Sequence, residues 1–201
     1  MLRLQINYGA VLSLSNQEQP LDLSKWLGAK LSFLWCDTYI RMPGSTNSIT
    51  IVNQDPYTYL FDEGAGRVVA MYGVSEKTTA EYSRNRMRGF MRDMKDEFGN
   101  KITKGVRFSG RSHMGHLASH AQGGLTDINL FPQRRDVNLA ISDDGKAYTA
   151  METYCRMHEG TFCFSRLFYN NDEWVPASFE YGILAHGQFR VKQFSNAAGP
   201  V

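Results

Sequence analysis

Histidine, amide and acidic side chains of the kinds that perform acid–base and metal chemistry are concentrated between residues 113 and 152. His116, Asn138 and Glu152 follow one another in that order. Histidine titrates near neutrality, so His116 can act as a base near pH 7. Mg²⁺ favours oxygen ligands and keeps most of its waters, so one amide oxygen and one nearby carboxylate suffice to hold it. The set predicts a metal-assisted hydrolytic site.

A longer fingerprint surrounds these three residues. Between Gly115 and Glu152 the chain contains Gly-His, Gly-Gly, Asn-x-x-Pro-Gln-x-x-x-x-Asn and Tyr-x-x-x-Glu, in that order. This order resembles the DNA/RNA non-specific endonucleases of the His-Me finger (ββα-metal) superfamily. The resemblance implies a ββα-metal unit in which Gly115-His116 ends a strand and Asn138 starts, or just precedes, a helix.

The resemblance also implies a role for each matching position. His116 would deprotonate the water that attacks a backbone phosphorus of DNA or RNA. Asn138 would be the direct protein ligand of a hydrated Mg²⁺, for which Mn²⁺ is a substitute, and Glu152 would hold water around that ion. The product would carry a 5′-phosphate. Three further residues would support the site structurally: Gly115, Asn129 and Gln133. Asn129 would do so by orienting the loop next to His116, called the histidine loop below.

Basic residues are concentrated just upstream of His116. Residues 84–111 contain nine Lys or Arg and three Asp or Glu, whereas the whole chain has a net charge of +2. Such a segment suits a polyanion, because phosphate neutralisation supplies most sequence-independent affinity, although a solvated helix face has the same composition. The resemblance implies an upstream Arg that stabilises the phosphorane, and Arg84 is preferred over its neighbours for that role. We expect five residues to contact nucleic acid: Arg84, Arg86, Arg88, Arg111 and His113.

Two positions depart from the family pattern. His113-Met114 stands where family members usually carry Asp-Arg, so the Arg that would contact phosphate is missing from its usual place. Arg111 is its candidate substitute. Residues 142–145 are predicted as an inserted turn. The missing Asp-Arg keeps an alternative open, in which the chain is a catalytically impaired nucleic-acid-binding or interaction module on the same fold.

Two other sets of metal ligands stay open. One consists of three histidines on a short helix, namely His113, His116 and His120. The other is a zinc set with no obvious fourth ligand, namely Cys155, His158 and Cys163. A zinc-supported structural domain is therefore a third hypothesis. The odd count of three cysteines, without paired short spacings, favours buried free thiols over a disulfide framework.

The rest of the chain must position these residues, and its hydropathy pattern predicts an α+β fold with a mainly antiparallel sheet. The apolar positions between residues 87 and 98 recur at helical spacing, and a second helix is predicted around 147–155. Strands are predicted at 2–14, 31–41, 48–52, 57–62, 67–74 and 105–110, with three more in the last third. At 201 residues we expect one nuclease domain, divided into a mainly β part (1–75), the basic helix with the catalytic core (76–160) and C-terminal strands (161–201).

The N-terminal residues have no long apolar run, so we expect neither a signal peptide nor a membrane anchor. A nuclease inside a cell is lethal. We therefore expect an exported toxin or effector with a cognate inhibitor protein, or a processed secreted domain. The sequence leaves open the preference for DNA or RNA and the oligomeric state.

Overall fold

A computed structural model describes residues 5–77, 112–124, 127–170, 172 and 174–197. Its helices are α1 (Tyr8–Glu18), α2 (Leu23–Tyr39), α3 (Arg135–Asn138) and α4 (Asp143–Met157). Its strands are β1 (Ile49–Gln54), β2 (Tyr57–Asp62), β3 (Arg67–Val74), β4 (Ser112–His116), β5 (Leu130–Arg134), β6 (Phe162–Phe168), β7 (Ser178–Ala185) and β8 (Gln188–Ser195). Each helix in these ranges falls short of the length and apolarity needed to cross a bilayer.

Within the described residues, six strands form one sheet in the order β1-β2-β3-β6-β7-β8, and every neighbouring pair is antiparallel. Strands β4 and β5 form a separate two-stranded antiparallel ribbon. Helices α3 and α4 follow this ribbon in the chain. The predicted α+β class with a mainly antiparallel sheet is confirmed.

The six-stranded sheet has different elements on its two faces. Phe164 and Ser165 are neighbours on β6, so their side chains lie on opposite faces. The Phe164 ring packs against Tyr8 of α1 and Trp35 of α2, with ring centroids 4.9 and 5.1 Å apart. The Ser165 hydroxyl donates to the carbonyl oxygen of Leu117, just after β4, at 2.6 Å. Helices α1 and α2 therefore cover one face, and the segment that connects β4 to β5 lies on the other.

The strands predicted at 2–14 and 31–41 are wrong, because α1 and α2 occupy most of these segments. The first part of the chain is therefore not mainly β. In α2 the buried residues Leu27, Leu31 and Trp35 are spaced by four, which is the period of a helix face. Asn7 and Asp22 are the N-caps of α1 and α2, and each side chain accepts a hydrogen bond from the backbone N–H three residues on.

Most other predicted elements are confirmed. The strands predicted at 48–52, 57–62 and 67–74 are β1, β2 and β3, and the three expected in the last third are β6, β7 and β8. The helix predicted around 147–155 is α4. The turn predicted at 142–145 is wrong, because Ser142 is the N-cap of α4 and accepts a hydrogen bond from the Gly145 N–H at 3.1 Å. The predicted basic helix and the strand at 105–110 lie outside the described residues.

Candidate functional site

His116 is the last residue of β4 and pairs with Leu130 of β5. The backbone just after it is fixed by Asn129, which is fully buried. The Asn129 side-chain oxygen accepts from the Ala118 N–H at 2.9 Å, and its amide nitrogen donates to the Ala118 carbonyl oxygen at 2.8 Å. The Leu117 N–H also donates to the Asn129 carbonyl oxygen at 2.8 Å. Asn129 thus holds the histidine loop, the role predicted for it.

The far end of the histidine loop is held by the six-stranded sheet. Tyr57 of β2 donates to the Gln122 carbonyl oxygen at 2.7 Å, and the buried Gln122 amide hydrogen-bonds to the Tyr181 hydroxyl of β7 at 2.9 Å. Gly123 has a φ of 93°, which glycine adopts without strain. Residues 117–124 are therefore anchored near both ends. The sequence pattern predicted none of these sheet anchors.

Gly115 and Gln133 are in direct contact across the ribbon. A β-carbon on Gly115 would collide with the Gln133 side chain. Gln133 is fully buried, and neither polar atom of its amide has a hydrogen-bond partner within the described residues. The close approach of strands β4 and β5 at this point explains why a glycine precedes His116.

The environment of His116 favours its neutral form. The ring is partly buried, and Nε2 has no hydrogen-bond partner among the described residues. Burial, with a smaller contribution from neighbouring His120, lowers the pKa of His116 to about 4. Desolvation penalises the charged imidazolium, which is why the shift is downward. At pH 7 His116 is therefore neutral, and its Nε2 is buried without a partner in the part of the chain that the structure describes.

Tyr148 and Glu152 both belong to α4, and Tyr148 contacts the backbone of His116. The buried Tyr148 hydroxyl donates to the His116 carbonyl oxygen at 2.9 Å, and its ring packs edge-on against Tyr181, with centroids 5.2 Å apart. Burial raises the pKa of Glu152, which hydrogen-bonds with Tyr148, to about 7. A protonated Glu152 can donate to the Tyr148 oxygen while Tyr148 donates to His116. Glu152 is thus coupled to the backbone of the candidate base.

Asn138 ends α3 and lies next to His113 of β4. The Asn138 amide nitrogen is 3.4 Å from His113 Nδ1. In the described residues no hydrogen bond joins Asn138 to His116 or to Glu152. Side chains three positions apart on a strand point to opposite faces, so His113 and His116 need not meet. The structure therefore forms two pairs, Asn138 with His113 and the His116 backbone with Tyr148.

The donor atoms around Asn138 fit a hydrated divalent cation. An amide oxygen is a ligand that Mg²⁺ accepts, and imidazole suits transition metals. Within the described ranges no group of three or more His, Cys, Asp or Glu is arranged to hold a metal ion. Any cation held at Asn138 would therefore have to complete its shell mainly with water or substrate oxygens.

The two alternative metal sets are not assembled in the structure. His113, His116 and His120 do not form a metal-binding group, and they lie on a strand and a following 3₁₀ turn rather than on a helix. The zinc set of Cys155, His158 and Cys163 is wrong. Both cysteines are buried free thiols, whereas the His158 side chain is exposed.

Four of the residues expected to contact nucleic acid lie outside the described residues, namely Arg84, Arg86, Arg88 and Arg111. His113, the fifth, is partly buried beside Asn138 rather than on an open surface. Neither the profiles of known protein families nor the sequences of curated proteins match this chain. The functional conclusion therefore depends on the geometry of the site and on the sequence pattern.

Proposed function

We propose that this chain is a metal-dependent endonuclease that hydrolyses phosphodiester bonds of DNA or RNA. The observation on which the proposal depends most is His116. It is neutral at pH 7, its buried Nε2 has no hydrogen-bond partner among the described residues, and it directly precedes a loop fixed by Asn129 and the sheet. A general base needs a neutral, unpartnered nitrogen in a defined position, because it must accept a proton at the working pH.

In the proposed reaction His116 Nε2 accepts the proton of the attacking water. A nearby phosphate favours the imidazolium form, so bound substrate would raise the pKa of His116 from its low value in the free protein. Asn138 would supply an amide oxygen to Mg²⁺ or Mn²⁺, and the cation supplies positive charge that stabilises the phosphoryl oxygens. Glu152 would accept hydrogen bonds from water in this region, and an Arg from residues 84–88 would add further positive charge.

The base and the metal ligand do not have to touch each other in such a site. The attacking water and the leaving oxygen lie on opposite sides of the phosphorus in an in-line displacement, and the cation serves the phosphoryl and leaving oxygens. A base and a metal ligand on opposite sides of a phosphate would not contact each other. The absence of a direct hydrogen bond between the two is therefore compatible with the proposal.

One observation favours a second candidate, a nucleic-acid-binding or interaction module without catalysis. His113-Met114 replaces the expected Asp-Arg, so the Arg that would contact phosphate is missing from its usual place. A module of this kind would bind nucleic acid without metal and leave it intact. For the nuclease, we further propose a toxin or effector role with a cognate inhibitor protein, because uncontrolled cleavage would kill the producing cell.

The test is incubation of the purified chain with plasmid DNA and with total RNA, in Mg²⁺ and in EDTA. The native chain should degrade nucleic acid only with the metal, and His116→Ala should be at least a hundredfold slower. His186→Asn is the matched control, because His186 is exposed in a turn with a φ of 52°, which asparagine tolerates. Retained binding without cleavage under any divalent cation would instead favour the binding module.

A further inference from the structure

The contact between Asn138 and His113 places two metal-ligand types side by side. The Asn138 amide nitrogen and His113 Nδ1 are 3.4 Å apart, and both side chains are partly buried. His113 is fixed by its strand, where it pairs with Gln133 of β5. A half-turn of the Asn138 amide puts its oxygen, in place of its nitrogen, toward the imidazole. The pair then presents one oxygen and one nitrogen to a common point.

The separation of the two atoms suits ligands of a single cation. Two donors about 2.1 Å from a tetrahedral metal are about 3.4 Å apart, and two adjacent donors about 2.2 Å from an octahedral metal are about 3.1 Å apart. The observed 3.4 Å hydrogen-bond contact equals the tetrahedral spacing and exceeds the octahedral spacing by about 0.3 Å. An octahedral ion such as Mn²⁺ would therefore draw the two side chains together only slightly, so little reorganisation opposes binding.

We propose that His113 is a second, nitrogen ligand of the cation held by Asn138, so that the site selects a transition-metal dication such as Mn²⁺ over Mg²⁺. This inference rests on the proposed function, since it concerns the same metal. Imidazole binds transition-metal dications in preference to Mg²⁺, which keeps oxygen ligands and water. The remaining positions belong to water and substrate, because no third His, Cys, Asp or Glu joins the pair within the described residues.

The test is pulsed electron paramagnetic resonance of Mn²⁺ bound to the full chain, which detects a directly bound ¹⁴N. The native chain and His116→Ala should both show the ¹⁴N signal, whereas His113→Gln should lose it and still bind Mn²⁺. Calorimetry with Mn²⁺ and Mg²⁺ should give at least tenfold tighter binding of Mn²⁺ to the native chain. In His113→Gln that preference should largely disappear. His186→Asn is the control and should match the native chain in both measurements.

The outcomes separate this inference from the proposed function. If Mn²⁺ binds, Asn138→Ala abolishes binding, and no ¹⁴N signal is seen in the native chain, His113 is not a ligand, although Asn138 still is. If Asn138→Ala leaves Mn²⁺ binding unchanged, the proposed metal site is wrong and the inference fails with it. His113→Asp provides a second variant of different chemistry. In this variant both protein ligands of the cation would be oxygens, so it should bind Mg²⁺ more tightly than the native chain does. Weaker binding of Mg²⁺ by His113→Asp would overturn the assignment.

Discussion

Replacement of Glu152 by Gln gives a quantitative test of how the site is buried, independent of any activity. Burial raises the pKa of Glu152 from its ordinary 4.5 to about 7. Between these two values the folded chain holds a proton on Glu152 that the unfolded chain has released. Stability therefore falls as the pH rises through this window, because an unfolded carboxylate is freely hydrated whereas the folded one is not.

The magnitude follows from the two pKa values. One pKa unit corresponds to about 1.4 kcal/mol, so the full effect is about 3 kcal/mol, and the partial exposure of Glu152 reduces it to roughly 2 kcal/mol. Gln keeps a donor for the Tyr148 oxygen and does not titrate. The free energy of unfolding of the native chain, minus that of Glu152→Gln, should therefore decrease by about 2 kcal/mol between pH 4.5 and pH 8.

The assay is urea unfolding of both chains at a series of pH values in EDTA, with the slope m held common where the data allow. Glu159→Gln is the matched control, because Glu159 is an exposed carboxylate just beyond the same helix. Its difference from the native chain should stay constant within about 0.5 kcal/mol over this pH range. A flat difference for Glu152→Gln would refute the reasoning, since it would mean that the carboxyl is hydrated in the folded chain.

Three further predictions concern the histidine loop. Because burial holds the pKa of His116 near 4, the native chain should lose stability as the pH falls from 6.5 to 4, whereas His116→Gln, with the partial exposure of the ring allowed for, should lose roughly 2 kcal/mol less in acid unfolding. Asn129→Ala leaves both backbone groups of Ala118 unpaired and should cost about 2–4 kcal/mol in urea unfolding; a loss below about 0.5 kcal/mol would contradict this. Gly115→Ala should cost about 1–3 kcal/mol, and combining it with Gln133→Gly, which removes the colliding Cβ as well as the amide, should recover part of the loss if their collision is the cause.

Local patterns were sufficient to predict the six strands of the main sheet and helix α4. In β2 and β3 the turn residues at each end and the β-branched or aromatic content indicated the observed bounds. The same aromatic content misled the prediction at 31–41, because Trp35 and Tyr39 are spaced for a helix face and α2 begins upstream at an Asp22 cap. Composition alone did not distinguish the two-residue period of a strand from the 3.6-residue period of a helix, whereas the spacing of the buried residues does.

The site was predictable only in part, for a physical reason. Asn129 lies close enough in sequence to His116 for a motif to include both, and the structure joins it to the histidine loop as predicted. The sheet residues that hold the same loop, Tyr57 and Ser165, are far away in the chain, and only the fold brings them there. The pairing of Asn138 with His113 likewise depends on the bend between β5 and α3, which no spacing rule specifies.

The central claim is that His116 is the base of a phosphodiester hydrolysis. Single-turnover cleavage of a labelled DNA duplex by His116→Ala, with Mn²⁺ and with increasing imidazole, tests it most directly. The account predicts that the variant is slower than the native chain by a factor of roughly a hundred to ten thousand, and that neutral imidazole restores part of the rate. Equal rates for the native chain and His116→Ala would contradict the claim, as would a native chain that cuts neither DNA nor RNA.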